Sequence, residues 1–158
     1  MIEQLAKDFC QADLMTVTPG HSLRDAEQHL LDQNVSELFV VTESGHLVGV
    51  LTDYDLLKAR LLGDVDEAHV ARWMCGCPAS VAAQSTLADC VKLFREAHYR
   101  RLAVLENGRF VGVLTRSDAL RALSQRPART LALRHDRTEE LSPSIQRPHL
   151  TRALACWF

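Results

Sequence analysis

The chain has 158 residues, 47% hydrophobic and 24% charged, with a formal net charge of −2. That is the composition of a globular protein of one domain or two small repeats, and its near-neutral balance gives no global argument for a nucleic-acid partner. No apolar run reaches the roughly 18 residues of a membrane span, and the start MIEQLAKDFC lacks the basic and apolar regions of a secretory signal. The expected compartment is therefore the cytoplasm, with the five cysteines reduced.

In chain order, Ile2, Leu5, Ala6 and Phe9 form a short helical stripe. Leu14–Val17 is a brief strand closed by Pro19-Gly20. Ser22-x-x-Asp25 caps a helix with Leu23, Ala26, Leu30 and Leu31 on one face, ended by Asn34. Leu38–Thr42 and His46–Leu51 are strands joined at Ser44-Gly45, and Thr52-x-x-Asp55 opens a helix that reaches about Leu62, before Gly63. The second half replays the first. Val70, Trp73 and Met74 mirror Ala6, Phe9 and Cys10 at a spacing of 64, Val81 mirrors Val17, and Thr86-x-x-Asp89 mirrors Ser22-x-x-Asp25. Leu102–Leu105 and Arg109–Leu114 are strands around the hairpin dipeptide Asn107-Gly108. Thr115-x-x-Asp118 opens the last helix, through about Leu123. The spacing falls from 64 to 63, a one-residue change placed between Asn34 and Phe39.

The centre of this repetition is GVLTDYD at Gly49–Asp55, which returns as GVLTRSD at Gly112–Asp118. Each copy runs an apolar strand into a helix and gathers a hydroxyl, a carboxylate and free backbone N–H groups at one helix mouth. A repeat of about 60 residues buries little surface alone. The expected fold is α+β: two β-α-β-β-α repeats related by a pseudo-twofold axis and sharing one core. Residues 1–64 form the first repeat with an N-terminal linker helix, and 65–123 form the second. Residues 124–158 are a basic tail, since 121–158 carry 7 Arg against 3 acids while 1–120 carry 11 basic and 17 acidic residues.

The element order, the two G-V-L-T-x-x-D segments and the strand starts VSELFVV and RRLAVL resemble a tandem pair of CBS (cystathionine β-synthase) domains, the Bateman module, over residues 5–123. The resemblance implies a regulatory module without chemistry of its own. Its ligand would be an adenosine-containing nucleotide such as AMP, ADP or ATP, it would assemble as a homodimer, and it would act on an unidentified regulated protein. No other cofactor is implied. By the same resemblance Asp55 and Asp118 would receive ribose hydroxyls, and Thr52 and Thr115 would contact ribose or the first phosphate. Ser117 would add a hydroxyl. Each cleft would be completed by the other repeat's strand start: Val35 and Ser36 toward Thr115 and Asp118, Arg100 and Arg101 toward Thr52 and Asp55. Adenine would lie near Met15–Val17, where Thr16 sits, or near Ala79–Val81. Phe39 and Ala103 stand where many members carry proline, and Phe39 has the bulk to fill the Thr115/Asp118 cleft. The arginines favour the Thr52/Asp55 cleft for phosphate-bearing ligands.

Rival readings come from the residues themselves. T-x-x-D is also a helix cap, and Ser22/Asp25 and Thr86/Asp89 use it where no ligand is expected. A structural dimerisation scaffold with non-functional clefts is one alternative. The other is a nucleic-acid or protein docking adaptor acting through the tail, where Thr130–Leu141 reads as a basic helix and the chain ends in apolar LACWF. Cys75-x-Cys77 with His69 upstream has no second cysteine pair at zinc-site spacing, so no metal is expected. No catalytic triad, glycine-rich phosphate loop or paired catalytic carboxylates stand out, and the chain reads as a sensor and not an enzyme.

Overall fold

A computed structural model of the chain describes residues 3–76 and 78–125, and the backbone of 145–146. Its elements follow the chain as a 3-10 turn at Ala6–Asp8, β1 (Thr16–Val17), α1 (Leu23–Gln33), β2 (Glu37–Val41), β3 (Leu47–Thr52), α2 (Asp53–Leu62), α3 (Val70–Trp73), β4 (Ser80–Ala82), α4 (Leu87–Glu96), β5 (Arg101–Glu106), β6 (Arg109–Thr115), α5 (Arg116–Ser124) and β7 (Ile145–Gln146). The fold is mixed α+β with two repeats.

Local chemistry sets the element ends. Ser22, Thr52, Thr86 and Thr115 each accept the backbone N–H of the Asp three residues on, which starts α1, α2, α4 and α5. Asn34 closes α1 in the left-handed region at φ 51°, and His98 takes the same conformation 64 positions later at φ 55°. The one-residue change in spacing falls later than the sequence reading put it. Thr16 pairs with Phe39 and Ser80 with Ala103, so the offset of 64 still holds there. The difference lies in the hairpin turns, where Thr42–Gly45 does the work of Glu106–Gly108.

The chain divides into two compact units that interleave in sequence. Among the described residues, one unit holds 13–76, 78 and 107–110; the other holds 3–12, 79–106, 111–125 and 145–146. In the first, the sheet order is β1-β2-β3, with β1 parallel to β2 and β2 antiparallel to β3. In the second, the order is β6-β5-β4-β7, with β4 parallel to β5. Strand β7 runs antiparallel on the other edge of β4, pairing Gln146 with Ser80 and Ile145 with Val81. Two residues of the expected tail thus belong to a sheet. The basic helix read over Thr130–Leu141 and the apolar LACWF end lie outside the described residues.

Among the described residues, each unit has its own cluster of buried apolar side chains. Leu23, Leu38, Val40, Leu51, Leu56 and Val70 anchor one. Val81, Leu87, Leu93, Leu102, Val104 and Leu114 anchor the other.

Each unit is finished by a segment that precedes the opposite repeat. Residues 5–11 pair along the second repeat: Leu5 bridges Thr86, and Gln11 and Val113 exchange both backbone bonds at 2.8 and 3.0 Å. Residues 69–75 do the same on the first: His69 bridges Ser22, and Cys75 and Val50 exchange bonds at 2.8 and 2.9 Å. The glycines of the repeated motif make these approaches possible. A Cβ on Gly49 would lie 2.7 Å from the Cys75 carbonyl oxygen, and one on Gly112 would lie 2.6 Å from that of Gln11. Both distances are too short for a side-chain carbon against backbone, whereas a Cβ on Gly20 would meet nothing within 4 Å. Gly112→Ala is therefore expected to destabilise the chain by about 1–3 kcal/mol, and Gly20→Ala by no more than about 0.5 kcal/mol. Urea unfolding of the two variants checks this, and equal effects would sink the argument.

Candidate functional site

The helix mouths at Thr52 and Thr115 share one construction. In each, the strand ends on a threonine in extended conformation and the next residue is helical. The threonine hydroxyl accepts the N–H of the Asp at the third helical position. That Asp returns a carboxylate oxygen to the threonine N–H, completing a reciprocal capping box. At Thr52, Asp55 Oδ2 accepts from the backbone N at 3.1 Å and from the hydroxyl at 2.6 Å. At Thr115, Asp118 Oδ2 accepts the same two bonds at the same lengths. The caps at Ser22 and Thr86 are not reciprocal boxes, although Asp89 Oδ2 does accept the Thr86 hydroxyl at 3.0 Å. The repeated motif is thus set apart from ordinary capping by how tightly its carboxylates are held.

Both carboxylates are buried, Asp55 at 2% and Asp118 at 6% exposure. Each also faces a cation one helical turn on: Lys58 Nζ stands 3.3 Å from Asp55 Oδ1, and Arg121 Nη1 donates to Asp118 Oδ1 at 3.2 Å. Lys58 also lies over the Tyr54 ring, 4.7 Å from its centroid. Asp118 has one further donor, since Gln11 Nε2 reaches both of its oxygens at 3.2 Å. Burial is the largest single influence on the Asp118 carboxyl and pushes its pKa up. The Thr115 hydroxyl and backbone, the Gln11 amide and the Arg121 charge together outweigh it and hold the pKa below the ordinary value. Beside Asp118 lies a small depression of about 90 Å³, lined by Phe9, Asp118, Arg121, Ala122 and Gln125. That is several-fold smaller than a typical small-molecule pocket of at least about 300 Å³.

Of the remaining expected site residues, Ser36 and Arg100 each set a carbonyl at the helix start of their own unit. Ser36 accepts from the N–H of Asp53 at 2.9 Å, which sets its carbonyl at the first residue of α2. Half-buried Val35 precedes it, and Thr16 lies on β1 beside Phe39. In the other unit, the Arg100 carbonyl meets the N–H of Arg116 at 3.4 Å, the matching position at α5. Arg101 opens β5, and Ser117 is exposed on the first turn of α5. Phe39 is only 5% exposed, and its ring stacks on Phe110 at 5.1 Å between centroids. The Arg116 guanidinium turns back to the carbonyls of Tyr99 and Phe94, at 2.6 and 3.2 Å, and so serves the end of α4.

Lys58, Arg121 and Gln11 were not among the residues expected from sequence. The two cations have a readable signal, since D-x-x-K and D-x-x-R place opposite charges one turn apart on a helix. Gln11 has no local signal. It is found only through the bridge between its backbone and Val113.

The cysteines depart from expectation. Cys10 and Cys90 are free, and burial pushes the Cys90 thiol up to about 12. Cys75 is disulfide-bonded, which corrects the reading of five reduced thiols; the sulfur it bonds lies outside the described residues. Among the described residues, no group of three His, Cys, Asp or Glu is placed to hold a metal ion. Also among them, no helix is long and apolar enough to cross a membrane.

Comparison with known proteins establishes the family. The chain belongs to the CBS-domain family: the family model for the CBS domain matches residues 6–62 and again 70–125. It is similar to the chloroplastic CBS domain-containing protein CBSX2 of Arabidopsis thaliana, at 30% identity over 142 residues, 72% of this chain and 60% of that protein. The chain thus spans about three fifths of that relative's length. The crystal structure of CBSX2 from Arabidopsis thaliana superposes with a TM-score of 0.69 at 31% identity, covering 78% of this chain and 96% of the other. A crystal structure of CBSX2 in complex with AMP superposes with a TM-score of 0.66 at 32% identity, covering 77% and 97%.

The lowered pKa of Asp118 fixes a sign. A carboxyl depressed in the folded state contributes stability that is complete above the unfolded value of about 3.9 and is lost as pH falls through the folded value. Asp118→Asn keeps an acceptor oxygen but loses the charge. It is expected to cost about 1 kcal/mol at neutral pH, with the gap to wild type narrowing in urea melts taken from about pH 6 down to about pH 2. A gap that stays constant over that range would show that the ionised carboxylate is not what stabilises the mouth.

Proposed function

We propose that the chain is a regulatory ligand-binding module that senses an adenosine-containing nucleotide of the AMP, ADP or ATP class at its Thr-x-x-Asp helix mouths, without chemistry of its own. The observation that carries this reading is the doubled mouth. A buried carboxylate, held by a reciprocal capping box at the N-terminus of a helix, occurs twice in a CBS-domain chain that is 32% identical to a protein crystallised with AMP. The chemistry suits such a ligand. A carboxylate accepts the paired hydroxyls of a ribose, and free N–H groups with the positive end of the helix dipole suit a phosphate. Thr52, Asp55, Thr115, Ser117 and Asp118 are the contacts proposed at the mouths, with Thr16, Val35, Ser36, Arg100 and Arg101 as further contacts. A regulated protein would read the shift between bound and free populations.

The test is a thermal-shift panel of AMP, ADP, ATP, NAD and S-adenosylmethionine, with GMP as the control. A ligand at 100 times its dissociation constant should stabilise the fold by about 2.7 kcal/mol. A shift confined to adenosine compounds and removed by Asp55→Asn is the expected result. No shift with any of them, in a folded chain, would leave the scaffold reading in its place.

Assembly as a homodimer is part of the same proposal, and α2 supplies a surface for it. Leu56 and Ala59 face inward, while Tyr54, Leu57, Leu61 and Leu62 stand 49%, 62%, 87% and 73% exposed on the same helix. An apolar face of this kind is typical of an interaction surface. Replacing Leu57 and Leu61 together by Asp is expected to halve the mass measured by light scattering while the circular dichroism spectrum is retained. An unchanged mass would exclude α2 as the contact. The adaptor reading rests on tail residues outside those described, and no observation favours it.

A further inference from the structure

The two mouths have the same box but not the same spare capacity. A carboxylate has about four lone-pair sites. At both Asp residues, Oδ2 is filled by the threonine N–H and hydroxyl. Whatever a ligand's diol can use must come mainly from Oδ1. At Asp55 that oxygen faces Lys58 Nζ at 3.3 Å, a lysine whose side chain is 42% exposed on a flexible stem. At Asp118 it faces the Arg121 guanidinium at 3.2 Å and the Gln11 amide, also at 3.2 Å. Four donors, two from Thr115 and one each from Gln11 and Arg121, therefore meet about four acceptor sites.

The amide is held there by the fold. Gln11 and Val113 exchange two backbone hydrogen bonds, five residues before Asp118, which sets the Gln11 backbone within reach of the carboxylate, and its amide donates to both oxygens. The matching position on the first repeat, the one that bridges Val50, is Cys75, which has no amide to offer. We propose that Gln11 is a specificity-determining residue that occupies the Asp118 mouth in place of a diol, so that Asp55 is the mouth at which a nucleoside is taken. This rests on the reading of the chain as a nucleotide sensor and narrows it from two mouths to one, since Thr115, Ser117 and Asp118 then hold no nucleoside while Gln11 is in place. Gln11 itself is exposed, so its side chain can be changed without opening a core.

Calorimetric titration of the full chain with AMP tests this, using wild type, Gln11→Met, Asp55→Asn, and the combination of the last two. Met keeps the length of Gln but has no N–H donor. Wild type is expected to bind one AMP per chain, and Asp55→Asn to abolish it. Gln11→Met is expected to bind two, with the second surviving Asp55→Asn. Wild type binding two AMP, or binding one that survives Asp55→Asn, would overturn the assignment. So would Gln11→Met remaining at one with an unchanged melting temperature. No heat with any variant, all of them folded, would instead sink the sensor reading and this assignment with it.

Discussion

A carbonyl oxygen packed against a glycine is the contact on which the rest of this structure depends. At Gly49 it belongs to Cys75, and at Gly112 to Gln11. Each close approach lets an incoming segment pair with the strand one residue further on, at Val50 and Val113. The pairing lies two residues before the threonine that ends the strand, so it pins the point at which the chain turns from strand to helix. Any side chain on these glycines would push the segment away and loosen the mouth beyond it. The motif glycine and the motif aspartate thus serve one object from opposite sides.

The aspartates answer two demands at once. As the third residue of a helix, each must return an oxygen to the threonine N–H, which ties up Oδ2 in both units. As candidate receivers of a ligand, they have the other oxygen to offer. Burial makes both roles stronger, because a carboxylate shielded from water must find donors nearby. Lys58 and Arg121 provide them in the free chain. A partner that arrives later competes with donors already present, so the residues around each carboxylate, more than the motif itself, decide what the mouth accepts.

Much of this was legible in the sequence, and the reasons are local. The caps at Ser22, Thr52, Thr86 and Thr115, the helix stop at Asn34 and the Asn107-Gly108 hairpin follow from the conformational preferences of the residues at those positions. The doubling of GVLT pointed to the family that the matches over residues 6–62 and 70–125 bear out. What escaped was non-local. Nothing near residue 11 says that it will lie against residue 113, or that its amide will reach Asp118. The pairing of residues 5–11 with the second repeat, and of 69–75 with the first, follows from backbone hydrogen bonds and not from periodicity. The disulfide at Cys75 escaped because cysteine count and composition report on a compartment, not on which sulfurs meet. The position of the length change was in fact legible in the strands, since an offset of 64 sets Leu38 on Leu102 and Val40 on Val104 whereas 63 sets Leu38 on Arg101, which leaves the turn as the part that differs in length.

The interleaving sets an order of events on the ribosome. The segment that ends at Gln11 has partners that are made about a hundred residues later, since Gln11 and Asp118 are 107 positions apart. Residues 13–78 hold β1, β2, β3, α1, α2 and α3, so nearly all of one unit is in hand before its neighbour's strands exist. The unit that takes in residues 3–12 is the later of the two to be completed. Ala6 and Phe9 stay uncovered until the residues between 79 and 122 that form their core have been made.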